Sequence, residues 1–164
     1  MASRIFNVLF LCTHNSARSI MAETLLNTIG HDRFQAFSAG SMPTGRVNPF
    51  AIDIVKTIGY LTENIRSKSW DEFATPNAPQ MDIIITVCDN AAGESCPIWP
   101  GHPATAHWGF PDPSNTQGSD KEKRKAFDQV FHAIRRRIAL LVNLPVDKLE
   151  RLALASELNR IHTL

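Results

Sequence analysis

One stretch narrows the folds open to this chain more than any other. The apolar run Val8-Leu9-Phe10-Leu11 passes into Cys12-Thr13-His14-Asn15-Ser16-Ala17-Arg18-Ser19, and then into Ile20-Met21-Ala22-Glu23-Thr24-Leu25-Leu26, which carries apolar residues at helical spacing. A buried strand, a tight turn of small polar residues and a helix start, in that order, build an anion cradle. Backbone N–H groups from Thr13 to Ser19 converge on one point, and the positive end of the helix dipole is aimed at it. Arg18 adds a planar, two-pronged donor suited to a tetrahedral oxyanion. Cys12, at the mouth, has its thiolate stabilised by the same field and is expected to be a nucleophile near neutral pH. Ser19 is placed to donate to that thiolate, and Asn15 to hold the shape of the loop. The competing interpretation of the stretch is a buried Cys at a strand end and a surface Arg capping a helix.

The remaining chain alternates strand and helix signals. The first strand is expected over Asn7 to Leu11, and the first helix from near Ser16 to Ile29, stopping at Gly30. Arg33 to Ser38 alternates as a short second strand closed by Ala39-Gly40. A loop from Ser41 to Asn48 leads to Pro49 at a first-turn position, and a helix through Phe50, Ile54 and Ile58 ends at Gly59. Ser69 caps a helical turn at Trp70-Asp71-Glu72. Met81 to Val87 is continuously apolar after its first two residues and β-branched, as a central parallel strand must be. Ala104 to Trp108 is a fourth strand, a long helix runs from Ser119 to about Val142, and a last helix spans Val146 to His162. In that last helix Leu149, Leu152, Ala153, Ser156 and Leu158 are expected near one face. The alternation predicts a single α/β domain, a doubly wound four-stranded parallel sheet with helices on both faces. Residues 145–164 form a C-terminal helical extension of it. Ligands of such sheets bind at the carboxyl ends of the strands, which gathers Cys12, Cys88 and Asp112.

Charge excludes several classes. The net charge is +1, and acids intersperse the basic stretches Lys121-Glu122-Lys123-Arg124-Lys125 and Arg135-Arg136-Arg137, which therefore read as solvated helix faces. Without interleaved aromatics they do not suit single-stranded nucleic acid, so no nucleic-acid partner is expected. The apolar opening is too short for a signal peptide or a membrane span; a cytoplasmic protein with no membrane partner is expected. The three cysteines, Cys12, Cys88 and Cys96, are an odd number, which argues against a structural disulfide framework. Cys88 and Cys96 also lack the short spacing of a zinc knuckle.

A Cys, five residues, then Arg and Ser is the signature loop of protein tyrosine phosphatases. Its place directly after the first strand resembles the low-molecular-weight phosphatase family. Asp112-Pro113, on a loop after the fourth strand, matches the family's general acid, which protonates the leaving oxygen; by itself the pair reads as a surface turn, and the cradle is what favours the acid role. The stretch from Thr86-Val87-Cys88-Asp89-Asn90 through Glu94-Ser95-Cys96-Pro97 to His107-Trp108-Gly109-Phe110-Pro111-Asp112-Pro113 resembles the arsenate reductases built on that phosphatase fold. The resemblance runs from Val8 to about Leu141.

That resemblance implies a three-cysteine reaction. Cys12 attacks arsenate held by the loop amides and Arg18, and Asp112 protonates the departing oxygen. Cys88 then attacks the sulfur of Cys12 and arsenite leaves. Cys96 attacks Cys88, leaving a Cys88–Cys96 disulfide for an external dithiol, thioredoxin, with glutathione and glutaredoxin the alternative donor. No tightly bound cofactor is implied, and a monomer is expected. In thioredoxin-coupled relatives a monovalent cation site is formed by residues that correspond to Asn15, Glu23, Ser38 and Asp71. The chain departs from the pattern in three places: Cys88 to Cys96 is one residue longer, His14 stands where many relatives carry Gly, and Ala17 replaces a Cys seen in some. If position 14 has a positive φ, His is a poorer occupant than Gly.

Two other readings compete. In a low-molecular-weight phosphotyrosine phosphatase the extra cysteines would be incidental, Cys88 a core residue at a strand end and Cys96 a loop thiol, or protective. Against it, Asp112-Pro113-Ser114 lacks the aromatic that often follows Asp-Pro in those enzymes. An anion sensor would not need the nucleophile.

Overall fold

The computed structural model describes residues 4–87, 103–146 and 151–163. Cys88 and Cys96 therefore lie outside the described residues, as does Leu149. Four parallel strands, β1 (Phe6–Cys12), β2 (Phe34–Gly40), β3 (Ile83–Thr86) and β4 (Ala104–His107), form one sheet in the order β2-β1-β3-β4. The order reverses direction at β1, the crevice where doubly wound sheets hold ligands. The expected four-stranded parallel sheet is the one observed.

The edges of these elements moved for identifiable reasons. β1 runs one residue further than its apolar run, so Cys12 is the last strand residue and pairs with Gly40. β2 likewise continues through Ala39 and Gly40, which were expected to close it, because Leu11 and Cys12 supply partners there. β3 and β4 are shorter than their apolar runs; Val87 N–H still donates to Leu11 O (2.8 Å) and Trp108 N–H to Thr86 O (2.7 Å) just past the ladder. Helix α1 (Arg18–Ile29) begins two residues later than Ser16, since residues 13–17 are spent in the loop around Cys12.

Helix α2 (Pro49–Lys56) is capped by Asn48, whose side chain accepts from Phe50 N–H, and carries Pro49 in its first turn. It stops before Ile58, and the chain turns through Gly59 at φ +77°. Its fully buried residues are Ala51 and Val55, with Phe50, Ile54 and Ile58 only partly covered. Helix α3 (Asp120–Val142) starts at a Ser119 cap and buries Phe127, Val130, Phe131, Ile134, Ile138 and Leu141 at helical spacing.

Helix α4 (Arg151–His162) lies along β4, an edge strand. Among its described side chains, which do not include Leu152, the core stripe is Leu154, Leu158 and Ile161, while Ala153 and Ser156, expected on the same face as Leu158, are exposed. Contacts with the sheet edge set that rotation: Asn159 Oδ1 accepts from His107 N–H (3.1 Å), and Leu158 O accepts from Trp108 Nε1 (2.9 Å). The helix thus covers an edge that would otherwise expose donors for another strand.

Alternation along β1 splits the core. Val8, Phe10 and Cys12 face the cluster built with α1, α2, α3 and α4; Leu9 and Leu11 face a second cluster with Trp70, Phe73 and Met81. Trp70 and Phe73 come from a 3₁₀ turn, Trp70–Phe73, capped by Ser69 Oγ as the sequence indicates. Among the described residues, no helix is long and apolar enough to cross a membrane.

Candidate active site

Cys12 sits at the carboxyl end of β1, 3% exposed, directly under the start of α1. Its Sγ accepts from Asn15 N–H at 3.3 Å and lies 3.1 Å from Ser19 Oγ. The loop wraps around that sulfur because its carbonyls are tied outward. Thr13 O accepts from Met42 N–H (2.8 Å), His14 O from Ser67 Oγ (2.9 Å) and Thr44 N–H (3.3 Å), and Ser16 O from Asn48 N–H (2.8 Å). In a trans peptide the N–H points opposite to the C=O. The amides of His14, Asn15 and Ala17 are therefore turned toward the cradle, ready for an oxyanion.

Asn15 makes the wrap possible. It is the residue with positive φ (50°), the one non-glycine case among the described residues, and Asn tolerates that region better than most side chains. The strained position is thus Asn15 and not His14, which is exposed at the rim. The side chain of Asn15, 0% exposed, is pinned at both ends: Oδ1 accepts from Lys68 N–H (2.9 Å), and Nδ2 donates to Ser19 Oγ (2.8 Å). A hydroxyl carries one proton, and since Ser19 Oγ accepts from Asn15, its own proton is available to the sulfur. Three hydrogen bonds therefore run in one direction, from the Lys68 backbone through Asn15 and Ser19 to Cys12. They favour a charged sulfur.

The loop also needs Gly40. A Cβ there would stand 2.5 Å from Thr13 O and 3.0 Å from both Asn15 N and Cys12 O. All three are backbone atoms that cannot rotate away. Gly40→Ala is expected to lower stability by about 1–3 kcal/mol, measured by denaturant unfolding, and to weaken binding of inorganic phosphate, measured by calorimetry. Unchanged phosphate affinity would show that the loop is not held where the structure has it.

Arg18, the first residue of α1, reaches across the cradle. Its Nη1 donates to Phe110 O (3.0 Å), and Nη2 lies 3.5 Å from Asp112 Oδ2. Phe110 is itself held, with the Arg137 guanidinium 5.0 Å from its ring centroid. Asp112 caps the 3₁₀ turn Pro113–Asn115: its Oδ1 accepts from Ser114 N–H (3.0 Å) and Ser114 Oγ (2.7 Å). The turn expected of Asp-Pro and a position beside the cradle are both realised, and Asp112 keeps Oδ2 facing Arg18.

The four residues matched to a cation site divide. Glu23, Ser38 and Asn15 gather on one side of the loop; Asp71 is exposed, and no contact among the described residues joins its carboxylate to them. Ser38 Oγ donates to Glu23 Oε1 (3.1 Å). Into this group comes Lys68, a residue the sequence did not flag. Its Nζ donates to Arg66 O (3.0 Å) and Ser38 Oγ (3.4 Å) and lies 3.8 Å from Glu23 Oε1. Burial, opposed by the Lys68 ammonium and the Ser38 hydroxyl, leaves Glu23 above the usual carboxylate range. Burial, opposed by Glu23, leaves Lys68 below the usual ammonium range. Glu23 thus favours folding only at low pH, an effect lost as pH rises through its raised value. Lys68 does so only at high pH, an effect lost as pH falls through its lowered value. At neutral pH neither ionised group is a net gain for stability.

A cysteine thiol in a ring of inward amides, flanked by a helix start, a two-pronged Arg and a carboxylate, defines a site for covalent attack on a tetrahedral oxyanion. Residues 7–153 match the family described as low molecular weight phosphotyrosine protein phosphatase, and the chain belongs to that family. It is 37% identical over 131 residues to a protein of Bacillus subtilis (strain 168) named arsenate reductase, covering 80% of this chain and 91% of the relative. Among solved structures it resembles an arsenate reductase from Archaeoglobus fulgidus (TM-score 0.65, 29% identity, 84% of this chain and 99% of the other). It also shares its fold with a low molecular weight protein tyrosine phosphatase from T. tengcongensis (TM-score 0.64, 20% identity, 88% and 99%).

Proposed function

We propose that this protein reduces arsenate to arsenite by a three-cysteine relay. The observation that carries the proposal is the pairing of an intact Cys12 cradle with 37% identity to a relative named arsenate reductase. The presence of Cys88 and Cys96 in the sequence supports it further. Arsenate is held by the inward amides and the Arg18 fork. The Cys12 thiolate attacks arsenic, forming an S–As(V) bond, and an oxygen departs as water with a proton from Asp112. The Cys88 thiolate then attacks Cys12 Sγ. The S–As bond breaks with its electron pair remaining on arsenic, which leaves as arsenite, and a Cys12–Cys88 disulfide forms. Cys96 attacks Cys88, releasing the Cys12 thiolate and passing on a Cys88–Cys96 disulfide. Two thiols are oxidised and one arsenic is reduced by two electrons, so the step balances. The disulfide is returned to dithiol by thioredoxin, a reductant of protein disulfides. We place the reaction in the cytoplasm, carried out by a monomer without a tightly bound cofactor.

The test is arsenate-dependent NADPH oxidation with thioredoxin and thioredoxin reductase. Turnover is expected in the wild type and should vanish in both Cys88→Ala and Cys96→Ala. Loss in Cys88→Ala alone would remove Cys96 from the relay, and the same assay with glutathione and glutaredoxin in place of thioredoxin would then show which donor reduces the Cys12–Cys88 disulfide. No arsenate turnover, with aryl phosphate hydrolysis that survives both substitutions, would make the protein a phosphatase.

A further inference from the structure

We propose that the Lys68 ammonium is a built-in cation that positions the Cys12 loop, so that the reacting site needs no exchangeable monovalent cation. The proposal rests on the reading of the Cys12 loop as the reacting site and adds what holds its far side. Lys68 is a positioning residue: it touches neither Cys12 nor the cradle mouth, and acts through Asn15 and Ser19.

The geometry is that of an occupied cation site. Nζ finds two neutral oxygens, Arg66 O and Ser38 Oγ, and one carboxylate, Glu23 Oε1. The side chain is 8% exposed. A hydrated ion of the same charge would have to share this space with an ammonium that already neutralises Glu23, and the repulsion of two cations a few ångströms apart would exclude it. The residues present therefore do not fit an added monovalent cation. Among the described residues, no group of acids, His and Cys forms a metal cluster either.

The same side chain fixes its own backbone. With Nζ bound inside, Lys68 N–H is directed at Asn15 Oδ1, and Lys68 O accepts from Gly40 N–H (2.9 Å) beside the bridge between Gly40 and Ser69. From Asn15 the chain of donors continues through Ser19 to the sulfur. Anchoring Lys68 from within thus orients the amide of Asn15, and through it the proton that Ser19 gives to Cys12. A free potassium ion could neutralise Glu23, but it has no covalent link to the backbone N–H that Asn15 requires.

Two readouts test this together. The first is thioredoxin-coupled arsenate turnover. The second is the rate of Cys12 alkylation by iodoacetamide in a Cys88→Ala/Cys96→Ala background. Both are run in choline, sodium, potassium and ammonium chloride at about 0.1 M ionic strength. Wild-type Lys68 is expected to give the same rates in all four salts. Lys68→Ala should slow both about tenfold in choline chloride, the loss of roughly one charge-assisted hydrogen bond, and potassium or ammonium should restore part of it. Because Lys68→Ala strands a buried carboxylate, Glu23→Gln/Lys68→Met serves as the second variant. With both charges removed it should melt no lower than wild type, yet alkylate more slowly in every salt and without rescue.

A wild type that requires potassium would overturn the proposal. So would a double variant that folds and alkylates at the wild-type rate. An absence of arsenate turnover alongside salt-rescued alkylation in Lys68→Ala would sink only the arsenate reading. The reverse pattern, arsenate turnover with alkylation indifferent to Lys68, would sink only this one.

Discussion

Cys12→Ser is expected to abolish arsenate reduction, by about 10⁴-fold or more, while leaving the fold intact. The replacement suits the space: a hydroxyl at this position can still accept from Asn15 N–H and meet Ser19 Oγ, so the loop keeps its partners. What is lost is the nucleophile, because a serine hydroxyl ionises far less readily than a thiol and its alkoxide is far less accessible than a thiolate. Calorimetry should therefore find phosphate or arsenate binding retained, against a turnover assay at background. Retained turnover would remove Cys12 from the centre of the mechanism.

Arg18 should matter nearly as much, and for two separable reasons. Its guanidinium is the cradle's cationic fork, and it ties α1 to the loop that carries Asp112 through Phe110 O and Asp112 Oδ2. Removing one preorganised donor from an oxyanion site commonly lowers turnover by about 10²–10³-fold. Arg18→Ala is expected at the upper end, since the acid loop loses its tether as well. Arg18→Lys retains the charge, but its three donors sit on one compact ammonium, which lacks the planar spread needed to hold Phe110 O and the oxyanion together. It should recover less than about tenfold of the loss, chiefly in KM. If Lys restored full kcat/KM, the planar fork and its link to Phe110 would be irrelevant to the reaction.

How much of this could be read from the sequence depends on how local each signal is. The strand, loop and helix around Cys12 are visible because an apolar run, small polar residues and helical spacing follow within twenty positions. Ser19 and Asn15 could be placed beside the sulfur for the same reason. The long helix α3 was equally plain, with a Ser cap, early acids and a clear apolar stripe. Contacts made over long separations were not legible. Arg18 meets Phe110 O across 92 positions, and Lys68 meets Asn15 across 53 and Ser38 across 30. Nothing in Arg66-Ser67-Lys68-Ser69 marks the third residue as buried. Asp71 was matched to the same site through resemblance alone, yet it stays on the surface, since the turn Trp70–Phe73 points its two aromatics inward instead. Nor does spacing reveal which loop residue takes the left-handed conformation. His14 looked exceptional beside its relatives, but Asn15 bears the strain. The stripe of α4 shifted because Trp108 and Asn159 set its rotation, and both bonds cross some 50 positions.

The most direct measurement is a single turnover with the fully reduced protein and no donor. Arsenate is added, arsenite is counted, and the cysteines are mapped by mass spectrometry. One arsenite is expected for each protein chain, together with one new disulfide joining Cys88 to Cys96 and Cys12 returned to the thiol. Three intact thiols and no arsenite, with an aryl phosphate hydrolysed by the same sample, would contradict it.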